Sequence, residues 1–63
     1  GTIADASAAL DVNSTTQGVG IPAMTTAQRD AIVTPRDGLL VYNSTTDKLN
    51  VRANGAWEAV TSA

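Results

Sequence analysis

No cysteine and no histidine occur in this chain of 63 residues, and that double absence sets the terms on which it can fold. Disulfides are ruled out, and a zinc site of the usual kind has no ligands. A domain of about 60 residues hides only about 60% of the surface its unfolded chain exposes, so chains of this length lean on a staple, a metal or a partner chain. The apolar fraction of 43% overstates the means available, because eleven of those residues are alanine. The larger ones include one Trp, one Tyr and no Phe, and aromatics supply the greatest burial per residue. With a thin core and no staples, oligomerisation is what remains.

Charge excludes further classes. A formal net charge of −2 with four basic residues does not make the clustered Lys and Arg surface that nucleic acid requires. No apolar run approaches the roughly 20 residues that span a bilayer, so membrane insertion is not expected. "GTIADASAAL" lacks the basic start and continuous apolar stretch of a signal peptide. The Gly-Thr start without Met is what a fragment or a processed product would show. Absence of Cys frees the fold from redox conditions without naming a compartment.

Residues 1–9, rich in Ala, show no period and are expected as an extended arm or linker, leaving 10–63 as one small β-rich unit. Leu10 and Val12 alternate with Asp11, and Val19 alternates with Ile21, each predicting a short half-buried strand. "NSTTQG" between them reads as a turn. Pro22 marks an edge or an end. "MTTAQRDAI" predicts a helix: Thr25 followed three residues later by Gln28 forms a capping box, and Pro35 stops the run. Two turns of helix are too few to be stable alone and must dock. The small side chains of Ala27 and Ala31 permit close approach there. "TPRDG" is a turn with Pro35 at its first central position.

From Gly38 the pattern predicts an antiparallel meander of "GLLVYN", "KLNVR" and "AWEAV". A four-residue "STTD" loop pairs Tyr42 with Leu49 and Leu40 with Val51. For the last connection, a two-residue Asn54-Gly55 turn pairs Arg52 with Trp57 and sets Val51 opposite Glu58. A three-residue loop pairs Val51 with Trp57 and Leu49 with Ala59, gathering one apolar face. The second register is preferred on that ground. Leu40, Tyr42, Leu49, Val51 and Trp57, with Ala59, are then the expected core. Leu39 and Val41 point the other way, either as ordinary exposed residues or covered on their own side by a neighbouring subunit.

"NSTT" occurs twice, and "LDVNSTTQGVGI" aligns with "LVYNSTTDKLNV" at a shift of 30 residues. Two copies do not make a solenoid, and the repeat reads as strand, loop, strand used twice. Both copies satisfy the N-glycosylation sequon, but Asn-Ser-Thr is ordinary loop chemistry and the turn reading is preferred. Catalytic candidates are weak. Without His or Cys the common general base and the strongest nucleophile are missing. Ser44 and Lys48 are explained by loop solvation. Asp5, Asp11, Asp30, Asp37, Asp47 and Glu58 stand singly, without calcium-loop spacing. The glycines of "GVG" do not open a helix and are read as turn residues rather than a phosphate loop. No enzyme activity, metal or cofactor is expected. Trp57, Tyr42, Arg52 and Asn54 are a candidate sugar-stacking surface, weighed below the core reading for the two aromatics.

Taken together, "ALDVNSTTQGVGIPAMTTAQRDAI", "PRDGLLVYNSTTDKLNV" and "NGAWEAV" resemble a short module recurrent in bacteriophage fibre and tail-fibre-like proteins. The resemblance covers about residues 8–60 and departs at Gly20 and Ala23, where similar sequences often carry an apolar residue and an Arg. Such fibres are homotrimeric. The resemblance therefore implies a mainly β fold with one short helix, intertwined or packed as a homotrimer on a virion. It implies a structural role, holding three chains of a tail or capsid-attached fibre in register beside neighbouring fibre or virion proteins. Ile21, Met24, Leu39 and Val41, with Ala27 and Ala31 of the helix, are the expected trimer-interface residues. The alternative is a receptor-binding tip that presents Ser44, Thr45, Thr46, Asp47 and Asn54 to a host glycan or surface protein. The resemblance carries no catalytic residue.

Overall fold

A computed structural model describes residues 6–61. The expected arm at 1–9 thus lies mostly outside the described residues, as do the last two positions. Within them, the order is β1 (Ala23–Met24), α1 (Thr26–Asp30), β2 (Leu40–Asn43), β3 (Lys48–Ala53) and β4 (Ala56–Ala59). The strands form one sheet in the order β1-β2-β3-β4. The expected antiparallel meander is present as β2-β3-β4. β1 adds a parallel strand at its edge, with Ala23 beside Tyr42 and Met24 beside Asn43, so the sheet is mixed.

The helix forms where its cap directs. Thr25 is extended and its hydroxyl accepts from the Gln28 amide at 3.2 Å, while Gln28 Oε1 accepts from the Thr25 amide at 2.9 Å. Both bonds of the capping box are therefore made, satisfying amides the short helix would otherwise leave open. The helix is shorter than the expected "MTTAQRDAI" and ends at Asp30.

Two expectations about strands need correction. Residues 10–12 and 19–21 carry no strand, and among the described residues no helix or strand precedes Ala23. Alternation marks a chain able to line a sheet face, but a ladder also needs a partner strand, and this segment finds none among the described residues. The β3–β4 connection is the two-residue turn rather than the preferred three-residue loop: Ala53 pairs with Ala56, Arg52 with Trp57 and Val51 with Glu58. Asn54 at φ 51° and Gly55 at φ 77° supply the two positive values of a type I′ turn, whose twist matches that of the strands. Turn geometry outweighed the gathering of apolar residues. The β2–β3 register is as expected, Tyr42 with Leu49 and Leu40 with Val51.

Candidate trimerisation surface

Side chains alternate across a strand, and directly paired residues share a face. The observed registers therefore divide the sheet. One face carries Met24, Val41, Asn43, Asn50, Arg52, Trp57 and Ala59, and the other Ala23, Leu40, Tyr42, Leu49, Val51 and Glu58. Val60 joins the second face, because its amide bonds the Leu49 carbonyl at 2.8 Å.

Helix α1 covers the first face, and it docks through polar groups. Asn43 Nδ2 donates to Thr26 Oγ1 at 2.9 Å and to Asn50 Oδ1 at 3.0 Å, and Asn50 Oδ1 also accepts from Arg29 Nη1 at 2.9 Å. Asn43 Oδ1 accepts from the Thr45 amide at 2.9 Å, tying the helix dock to the β2–β3 loop. The Thr26 amide bonds Thr45 Oγ1 at 3.1 Å. The guanidinium groups of Arg29 and Arg52 lie 5.6 Å and 5.8 Å from the centre of the Trp57 ring, within cation–π range. Asn43 and Asn50 each retain 1% of their surface, and Val41, at 4%, is the one buried apolar residue among those described. Buried amides are stable only when bonded, and here they are bonded to one another and to the helix.

The opposite face has no such cover. Leu40 remains 47% exposed, Tyr42 37% and Val60 47%, with Leu49 and Val51 half-buried. Within the single chain, Val41 of the expected interface is buried, while Leu40 and Tyr42 of the expected core are exposed. Leu40 and Tyr42 are not interior residues of this chain, whereas Val41 is, and Val41 has almost no surface left to offer a partner. Trp57 stands half-buried on the helix side, not beside Tyr42, so the two aromatics do not form one stacking platform. Ile21, Met24 and Leu39 are half-buried, and Ala27 and Ala31 are exposed on the helix and its C-cap.

The candidate ligand loops are exposed, but several of their groups serve the fold. Thr45 caps the helix dock, Asp47 adopts φ 55° in the loop, and the Gly55 amide is held by Asp37 Oδ1 at 3.0 Å. Pattern reading missed the Thr26–Arg29–Asn43–Asn50 network. Its signal was the placing of two Asn, poor strand formers, in phase with Val41 on paired strands.

The chain exposes 5017 Å², where a compact monomer of its 6.4 kDa mass would expose about 3,800 Å². Its radius of gyration is 13.9 Å, against roughly 10–11 Å for a compact domain of this length. Both excesses describe a chain more extended than a compact monomer of its length, in keeping with a described segment before Ala23 that carries no helix or strand. Searches among curated proteins and solved structures found no match. The profile of one family, described as "Phage tail like trimerisation region", matches residues 1–63. An open apolar sheet face, a polar inner dock and that full-length match agree: the chain belongs to the phage tail-like trimerisation region family.

Proposed function

We propose that this region is a structural joint of a bacteriophage fibre on the virion, holding three copies of the chain in register, and that the sheet face opposite α1 is its main contact. The observation that carries this reading is the exposure of Leu40, Tyr42 and Val60 beside Leu49 and Val51 on a face that no described part of the chain covers. Three chains packed about an axis would bury it, supplying the apolar core that each chain lacks. Ala27 and Ala31, being small and exposed, suit a secondary close contact beside it. The role is one of assembly, with no catalytic step.

Light scattering across a dilution series tests the reading. The expected result is a trimer mass that holds on dilution, and Leu40→Lys is expected to break it down to monomer by placing a charge in the contact. A wild-type monomer that remains folded would overturn the reading and leave the exposed loops, rather than the sheet, as the place to look for a partner.

A further inference from the structure

The trimer reading, on which this inference rests, raises the question of what each open sheet face packs against. A self-complementary patch closes a twofold dimer, whereas in a cyclic trimer each pair of neighbours meets through two different surfaces. A second apolar surface, distinct from the open face, meets that requirement.

Residues 10–21 supply it. Leu10, Val12 and Val19 are 82%, 60% and 69% exposed, in a segment without helix or strand. Leu10 and Val12 flank Asp11, so both fall on one side of an extended chain, as Val19 and Ile21 do around Gly20. Between these pairs the chain turns under its own bonds: Ser14 Oγ accepts from the Thr16 amide at 3.1 Å and the Gln17 amide at 2.9 Å. The family match runs through these residues, so they belong to the trimerising unit. Length permits a crossing even with the turn in place, since the arms of four or five residues on either side of it each reach roughly 13–18 Å while four strands span roughly 14–19 Å.

We propose that residues 10–21 of each chain lie across the open sheet face of the next, with Leu10, Val12 and Val19 seated against the neighbour's Leu40, Leu49 and Val60. Every chain then gives its segment to one neighbour and receives one from the other, the head-to-tail exchange that a ring of three requires. Two unmatched apolar surfaces on one chain become a single matched interface repeated around the axis.

The absence of Cys makes the test clean. Two double variants, Val12→Cys with Leu49→Cys and Val19→Cys with Val60→Cys, are oxidised mildly and run on non-reducing denaturing gels. At least one is expected to give a covalent trimer as its end point. A third variant, Leu10→Ser with Val12→Ser and Val19→Ser, changes side chains that lie open in the single chain. It is expected to keep its circular dichroism while its trimer dissociates at a protein concentration at least tenfold higher than wild type. A trimer that neither pair links between chains, or that the triple substitution leaves equally tight, would overturn this arrangement while leaving the trimer itself standing. A wild-type monomer in light scattering would instead overturn the reading beneath it.

Discussion

The tetrapeptide Asn-Ser-Thr-Thr stands at 13–16 and again at 43–46, and its two copies have different fates. At the second, Asn43 is buried, holds the Thr45 amide with Oδ1, and joins Thr26 and Asn50 through Nδ2. It ends one strand of a hairpin whose other strand begins at Lys48. At the first, Asn13 is exposed and bonds Asp11 at 3.2 Å, and Ser14 rather than Asn gathers the following amides. Both copies are turns, but only one is a hairpin. The reasons lie outside the shared letters. Thirty residues apart, Asn50 corresponds to Gly20 and Asp47 to Gln17. Gly20 has no amide to receive its Asn, and Gln lacks the tolerance for positive φ that lets Asp47 close its loop at 55°. The lesson is that a turn sequence permits a hairpin, while the residues flanking it decide whether one forms.

The largest expected break in this comparison is Asn43→Ala. It removes a partner from Asn50, Thr26 and the loop amides together, and should cost about 1–3 kcal/mol, where Asn13→Ala should stay within about 0.5 kcal/mol. Urea denaturation of both at one protein concentration measures the difference, and equal losses would show that the two copies are energetically alike. Next comes Asp47→Gln, which gives the second loop the residue of the first at a left-handed position. A loss of roughly 1 kcal/mol in the same assay is expected, and no loss would mean that φ at this loop is not what separates the copies. Smallest is Gly20→Asn, which restores the missing amide to the first copy. Nothing among the described residues lies within 4 Å of a Cβ built there, so the side chain fits without a partner to meet. Stability should move by less than about 0.5 kcal/mol. A clear gain would show that the first copy needs only that amide to pair.

Elements governed by near neighbours were legible. The capping box placed α1, since Thr25 and Gln28 need only each other, and the "STTD" loop placed the β2–β3 register. The β3–β4 register was misread because apolar grouping was weighed above the strong preference of Asn-Gly for a two-residue turn. The face taken by α1 was not legible. β2 is apolar on both sides, with Leu39 and Val41 on one and Leu40 on the other, so its pattern does not choose between them. The helix chose by hydrogen bonds to Asn43 and Asn50, to which a reading of apolar periodicity is blind. The open face was consequently read as core, and its exposure in the single chain became visible only with the sheet assembled.

By themselves, the residues determined that this chain has no staple and few large apolar side chains with which to close a core. The missing Cys and His, the eleven alanines and the two aromatics are properties of composition and hold in any fold. They also determined the helix start and the turns, because capping and positive φ are settled within a few residues. Tertiary structure decided which side of the sheet is inside. That choice depends on side chains brought together across long stretches of chain, Thr26 to Asn43 and Arg29 to Asn50, where the cost of burying an amide is met only by bonds that no local pattern contains.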